Sequence, residues 1–205
     1  MIRVLLVDDH AVVRAGFQWF LEQEAGVEIV AEADCGETAC DLYGRLRPDV
    51  VVMDLSLPGM GGLNTICRLL ARDPGAKILV FSVHEESIYV KHALAAGACG
   101  YISKRSASEM LLEALTVVMQ GRVFVEAGLA RQLTTDQVTP EVLSPREFEI
   151  FHRMALGHTN HEIATELHLS GKTVANYLTS IKSKLNVRTS AELTRLAYRY
   201  GLLPD

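Results

Sequence analysis

No apolar run in this 205-residue chain is longer than a β-strand needs. A membrane-spanning helix takes about 20 consecutive apolar residues, so membrane insertion is not expected. Cysteine is scarce: Cys35, Cys40, Cys67 and Cys99 show no CxxC spacing and sit among apolar neighbours. Buried thiols in a reducing cytoplasm are therefore expected in place of disulfides. Repeats and low-complexity segments are lacking. The opening Met1-Ile2-Arg3-Val4-Leu5-Leu6-Val7 runs straight into acids with no small-residue cleavage site. It reads as a first strand and not as a signal peptide.

Charge is moderate but unevenly spread. Residues 1–125 hold 11 Lys/Arg against 16 Asp/Glu, a net -5; residues 126–141 hold 1 against 3, a net -2; residues 142–205 hold 8 against 6, a net +2. An acidic front and a mildly basic tail point to different partners for the two parts. The excess in the tail is too small for nucleic-acid binding to follow from charge alone.

With 49% hydrophobic residues the chain can bury one large core or two smaller ones. Apolar runs at 2–7, 27–31, 49–53, 77–81 and about 100–102 alternate with helical patterns near 10–24, 36–46, 62–72, 86–97 and 107–120. Arg47-Pro48-Asp49, Pro58-Gly59-Met60-Gly61-Gly62, Asp73-Pro74-Gly75 and Ala96-Gly97 punctuate them. Five such units predict a doubly wound α/β domain over residues 1–121, with a five-stranded parallel sheet of flavodoxin-like type. Residues 122–141 read as a linker, polar at Thr134-Thr135-Asp136-Gln137 and Thr139-Pro140, with a helical turn or two possible from Ala127 to Leu133.

Residues 142–205 read as a small all-α domain of four helices. Ser144-Pro145-Arg146-Glu147 is a capping box with proline at the first helical position, and Thr159-Asn160-His161-Glu162 repeats the pattern. Ser170 caps a third helix towards Leu185, and Ser190 begins a fourth through Tyr200, stopped by Gly201.

In a parallel sheet the carboxyl ends of the strands meet at one edge, where ligands bind. Asp8-Asp9 follow the first run, Asp54 the third and Lys104 the fifth. Three carboxylates gathered there make a hard-oxygen site suited to Mg2+, and the lysine adds a point charge suited to a phosphoryl group. Phosphoryl transfer needs an in-line nucleophile and cations around the equatorial oxygens. Asp54 suits the nucleophile, forming an acyl phosphate. Asp9 and Asp54 are placed to coordinate Mg2+ directly, Asp8 to hold its waters, and the Ser56 carbonyl to complete the protein ligands. Ser82, closing the fourth run, can reach a phosphoryl oxygen. Singly these residues have plain readings as helix caps or core-edge positions; together, at one sheet edge, they make a site.

Asp8-Asp9, Asp54 with Leu57-Pro58-Gly59-Met60-Gly61-Gly62, Ser82, Ala96-Gly97-Ala98-Cys99-Gly100-Tyr101 and Lys104 resemble the receiver domain of two-component response regulators, over roughly residues 1–120. That resemblance implies that Asp54 receives phosphate from a histidine kinase and that Ser82 and Tyr101 form a switch pair. The hydroxyl would move towards the phosphoryl group while the aromatic ring turns inward. Two positions depart from the usual pattern. Val83 stands where Ala or Gly is common, which puts the lifetime of the phosphoryl group in question, and Arg105 replaces a frequent proline. Phe81-Ser82-Val83-His84 and Ser103-Lys104-Arg105 are loosely similar to the UhpA and GacA branches.

The tail, with Leu143 to Glu147, Gly157 to Ala164, Leu169 to Val174 and Ile181 to Leu185, resembles the LuxR-type helix-turn-helix of the NarL/FixJ regulators over roughly residues 140–203. The turn between Leu167 and Ser170 then precedes a recognition helix entering the major groove. Lys172, Lys182, Lys184 and the Thr173 hydroxyl would hold phosphates, and Ala175, Asn176 and Thr179 would meet base edges. Ala175 replaces a common lysine, so base preference does not transfer from relatives. His152, His158, His161 and His168 lack the cysteine partners of a zinc site. The stripe Leu193, Leu196, Ala197 and Tyr200 reads first as core packing, and by resemblance as a pairing surface on two-fold DNA.

These expectations compose a phosphorylation-gated, cytoplasmic transcription factor that dimerises when phosphorylated and binds promoter DNA. A dehalogenase-like phosphatase is the enzymatic rival, but it wants D-x-D at the nucleophile strand, where this chain has Asp54-Leu55-Ser56. A receiver that has lost phosphorylation control is the other.

Overall fold

Alternation along the strands sets the architecture. The structure, a computed structural model, describes residues 1–22, 26–133 and 143–203. Strands Ile2–Val7 (β1), Val27–Ala33 (β2), Val50–Met53 (β3), Ile78–Ser82 (β4) and Gly100–Ser103 (β5) pair in parallel in the order β2-β1-β3-β4-β5. Helices Ala11–Glu22 (α1), Gly36–Leu46 (α2), Gly62–Arg72 (α3), Ser87–Ala95 (α4) and Ala107–Met119 (α5) fill the connections. Successive side chains on a strand point to opposite faces. Val4, Leu6, Val50, Val52, Leu79 and Phe81 thus pack with Phe17 and Leu21 of α1 and Leu111 and Leu115 of α5. Leu5, Val7, Val51, Met53, Ile78 and Val80 pack with Ile66 and Leu69 of α3 and Val90 of α4. Both faces are covered, which is why β3 is four apolar residues with no polar alternation.

The sheet has six strands, not the five expected. Phe124–Val125 (β6) pairs in parallel with Gly100 and Tyr101. Two residues are too short for any periodicity to show. Gly100 admits the new strand: a Cβ there would sit 2.9 Å from the Phe124 carbonyl oxygen. The expected linker at 122–141 therefore begins with structure, β6 followed by Ala127–Leu133 (α6), whose Leu129 is buried. Its polar stretch from Thr134 to Glu141 lies outside the described residues.

The tail forms the four helices expected, Pro145–Ala155 (α7), Asn160–Glu166 (α8), Gly171–Lys184 (α9) and Ser190–Arg199 (α10). Full capping boxes join Ser144 to Glu147, Thr159 to Glu162 and Thr189 to Glu192, and the Ser170 hydroxyl accepts from the Thr173 amide at 3.0 Å. Each cap satisfies amides that the helix cannot, worth typically ~1 kcal/mol. Phe148, Phe151, Ile163, Val174, Ile181 and Leu193 fill the bundle centre. No helix among the described residues is long and apolar enough to cross a membrane.

The core of the α/β domain does not stop at its own boundary. It continues through Tyr89 of α4 and Phe148 of α7, whose ring centroids lie 5.0 Å apart, into the bundle.

Candidate functional site

Register brings the acidic residues together. Val7 is paired with Met53 across β1 and β3, and the Asp54 amide donates to the Val7 carbonyl at 2.8 Å, so Asp8 and Asp54 leave their strands side by side. Ser82 pairs with Ser103 across β4 and β5, which places Lys104 one residue past the same edge. The chain leaves β1 for β2 on one side and returns to β3 on the other, so the edge beside β1 is the switch point where such sheets bind ligands.

Asp8 and Asp54 are almost fully buried, with Lys104 Nζ 2.6 Å from Asp8 Oδ2 and 2.8 Å from Asp54 Oδ2. Burial raises the Asp54 carboxyl above its ordinary range against the pull of Lys104, and Asp8 adds to the rise. Burial works against the Lys104 ammonium, but Asp54 and Asp8 outweigh it and hold its pKa above the ordinary lysine value. Asp54 Oδ1 is buried and accepts no hydrogen bond among the described residues. Asp8, Asp9, His10 and Asp54 each offer a ligand atom within 4.8 Å of the others. An unpartnered carboxylate oxygen facing two further carboxylates suits a small hard cation, so the residues present fit Mg2+.

His10 was not among the residues expected from the sequence, although it follows the acidic pair directly. Its Nδ1 lies 2.7 Å from Asp9 Oδ1, and its amide donates to Asp8 Oδ1.

Ser82 is fully buried, and its hydroxyl accepts from the His84 amide at 3.2 Å. Tyr101 is already inside: its ring is fully buried and its hydroxyl donates to the His84 carbonyl at 2.6 Å. Ser56, two residues after Asp54, has its hydroxyl 3.2 Å from His84 Nε2. Val83, the residue after Ser82, is 56% exposed. Arg105 pairs with Glu85, which also accepts from the Ser103 hydroxyl, so two loops over the pocket are tied together.

On the tail, Lys172, Ala175, Asn176 and Thr179 lie exposed on α9. The half-buried Thr173 has its hydroxyl 2.7 Å from Ser170, and Lys182 is also half-buried. Lys184 has an internal partner, Glu147 of α7, at 2.6 Å. Burial would raise the Glu147 carboxyl, yet Lys184, Ser144 and Ser180 outweigh it and pull it down to about 2. Lys184 thus fastens α9 to α7. Leu193 and Ala197 of the α10 stripe are buried in the bundle.

A response regulator receiver domain matches residues 4–116, more than half the chain, and the luxR family of bacterial regulatory proteins matches residues 141–197. The chain belongs to the NarL/FixJ response regulators. This regulator is 39% identical to the response regulator UvrY of Escherichia coli (strain K12), over 98% of this chain and 96% of UvrY. It is 37% identical to the response regulator GacA of Pseudomonas aeruginosa, over 99% and 98% of the two chains. Among solved structures it resembles RcsB of Salmonella enterica serovar Typhimurium, bound to promoter P1flhDC with phosphomimetic BeF3-, at a TM-score of 0.72 and 25% identity, covering 98% and 99% of the chains. As a two-component response regulator it joins a receiver to a LuxR-type DNA-binding domain and regulates transcription.

Contacts between the regulator's two domains were not legible in the sequence. Arg146 of α7 donates to the Gly59 carbonyl at 2.8 Å and to the Leu167 carbonyl at 2.7 Å, and ion-pairs with Glu149 at 3.0 Å. The Gly59 amide donates to the Glu166 carbonyl, and Asn64 donates to Glu149. Gly61, at φ 75, leaves room for this: a Cβ there would lie 1.8 Å from Glu149 Oε1.

Proposed function

We propose that Asp54 is the phosphoacceptor, that the donor is a phosphohistidine of a sensor kinase, and that the phosphorylated regulator dimerises on promoter DNA in the cytoplasm. The unpartnered, buried Asp54 oxygen beside Lys104 carries this reading. An Asp54 carboxylate oxygen attacks phosphorus, the bond from phosphorus to the donor imidazole breaks, and an acyl phosphate forms. Asp9, Asp54 and the Ser56 carbonyl would hold Mg2+, with Asp8 behind its waters, to neutralise charge on the transferring oxygens. Lys104 shifts from the carboxylates towards a phosphoryl oxygen, and the Ser82 hydroxyl turns to donate to another.

An apolar groove of about 340 Å³ runs from Val12 and Gly16 past Phe20 to Lys104, giving the donor protein an approach beside the pocket. On DNA, exposed Asn176 and Thr179 meet base edges, Lys172 and Lys182 phosphates, and Thr173 the backbone at the helix start.

Acetyl phosphate with Mg2+ tests the chemistry. A single phosphoryl adduct, seen by intact mass and removed by hydroxylamine, is expected in wild type and absent in Asp54→Asn. An adduct that survives Asp54→Asn would place the acceptor elsewhere.

A further inference from the structure

The acidic pocket carries a nitrogen ligand that phosphoryl transfer does not use. One ligand atom from each of Asp8, Asp9, His10 and Asp54 lies within 4.8 Å of the other three. His10 Nδ1 is 2.7 Å from Asp9 Oδ1 and 3.3 Å from Asp8 Oδ1. The His10 amide donates to Asp8 Oδ1 at 2.8 Å, which ties the residue to the cluster. Lys104 meets the other oxygen of Asp8, Oδ2, together with Asp54 Oδ2. That leaves Asp54 Oδ1, which is buried and accepts no hydrogen bond among the described residues. An imidazole thus joins the carboxylates around a buried oxygen in want of a partner. The His10 side chain is largely exposed, so it can turn onto an ion without disturbing the core.

We propose that His10 gives the pocket a second occupant: a four-coordinate Zn2+, held by Asp8, Asp9, His10 and Asp54, that shuts out the phosphoryl group. Binding rests on this geometry alone; the block rests also on Asp54 being the phosphoacceptor. Mg2+ is hard, takes oxygen ligands and keeps several waters in an octahedral shell. One of those waters can give way to a phosphoryl oxygen, and an imidazole adds little to such a shell. Zn2+ differs on both counts. Imidazole is among its ordinary ligands, and divalent ions late in the first transition row bind mixed nitrogen and oxygen sets more tightly than early ones. A tetrahedral Zn2+ at about 2.0–2.2 Å from each ligand holds them roughly 3.4 Å apart. Atoms already within 4.8 Å of one another need only a small closing movement to reach it. Four protein ligands also fill a tetrahedral site, whereas a zinc site that does chemistry keeps one position open. The port that receives the phosphoryl signal thereby also answers to a transition metal.

Co2+, whose four-coordinate complexes absorb strongly in the visible, reports the site in the full chain, and Zn2+ is titrated against it. One equivalent of Co2+ is expected to give a strong band in wild type. Zn2+ should bleach that band at one equivalent, and excess Mg2+ should remove it, since the ions share carboxylates. A band that Mg2+ leaves intact lies at other residues and overturns the assignment. His10→Ala is expected to lose the band and to bind Zn2+ at least about tenfold more weakly, since loss of a ligand's outer partner alone costs that much. Its Mg2+ affinity should fall far less. Equal Zn2+ affinity in the two proteins overturns His10 as a ligand, as does a fall in Mg2+ and Zn2+ affinity by the same factor. If His10→Ala does not melt as wild type does, His10→Gln, which keeps a polar side chain without the imidazole, decides by the same criteria. With acetyl phosphate and Mg2+, one equivalent of Zn2+ should abolish the adduct in wild type, and His10→Ala should need at least about tenfold more Zn2+ for the same loss. An adduct that forms on the zinc-loaded wild type overturns the block. A wild type that gains no adduct from acetyl phosphate and Mg2+ alone overturns the Asp54 reading instead, and the Co2+ and Zn2+ titrations still decide His10.

Discussion

At the scale of single residues, the pocket is a problem in charge. Asp8 and Asp54 lie buried within reach of one ammonium, that of Lys104. Removing one partner of a buried ionic cluster leaves uncompensated charge, which typically costs about 3–5 kcal/mol. Lys104→Ala is therefore expected to lower the melting temperature markedly in the presence of EDTA, and Mg2+ is expected to recover more stability in the variant than in wild type. Melts with and without Mg2+ check this; equal Mg2+ stabilisation of both proteins would mean that the ion and the ammonium do not share the same carboxylates. Gly62 is a second single-residue constraint. Its amide donates to the Leu55 carbonyl, and a Cβ there would sit 2.2 Å from the Asp54 carbonyl oxygen. Gly62→Ala must displace the backbone of Asp54 itself. A loss of at least ~1–3 kcal/mol in denaturant unfolding is expected, the range seen when a packed site is overfilled.

At the scale of elements, the α7 interface buries three groups that titrate against one another. Burial drives Glu149 up to about 7, against Arg146 and Arg153. Burial pushes His84 down to about 4, helped by Arg153 and Lys104, and His152 down to about 3, helped by His84 and Arg153. Glu149 supports closure fully below its ordinary 4.5, and that support is lost as pH rises through about 7. The histidines support closure fully above their ordinary 6.5 and lose it as pH falls through about 4 and 3. Between pH 4.5 and 6.5 opening takes up two histidine protons and releases one from Glu149, so acid favours opening by roughly 1.4 kcal/mol per pH unit. Exchange of α7 amides, corrected for intrinsic rate, is expected to show strongest protection at about pH 6.5–7. Protection that climbs steadily down to about pH 5 would contradict this balance.

Helix elements were readable because their ends carry chemistry: Ser144, Thr159 and Ser170 announce α7, α8 and α9 by side chains that bond three residues on. The receiver strands were readable as apolar runs, and their parallel alignment predicts that Asp8, Asp54 and Lys104 meet at one edge, where the structure brings them together. β6 was not, since Phe124–Val125 gains its meaning only from Gly100 opposite.

At the scale of the whole molecule, what the sequence hid is the packing of one domain on the other. Arg146 finds Gly59 across 87 positions, and no local pattern marks either residue as a partner. The pairing of Lys184 with Glu147 was hidden in the same way, since nothing in the local pattern marks that lysine as the partner of a buried glutamate. The closed packing nonetheless leaves Ala175, Asn176 and Thr179 exposed, so under the proposed gate phosphorylation would act on how the DNA-binding domains are presented as a pair. Wedging the interface should imitate that signal. Gly61→Ala, whose Cβ would strike Glu149, is expected to raise DNA binding without phosphorylation and to make it less responsive to a donor.

Gel shift of pooled genomic fragments by the full chain, with beryllofluoride and Mg2+ or with neither, most directly tests phosphorylation-gated DNA binding. Wild type should bind more tightly with beryllofluoride, by a factor of ten or so for a coupling of about 1.4 kcal/mol, and Asp54→Asn should not change. Equal binding by both proteins in both conditions would contradict the gate and leave a DNA-binding protein whose acidic pocket has no say in its output.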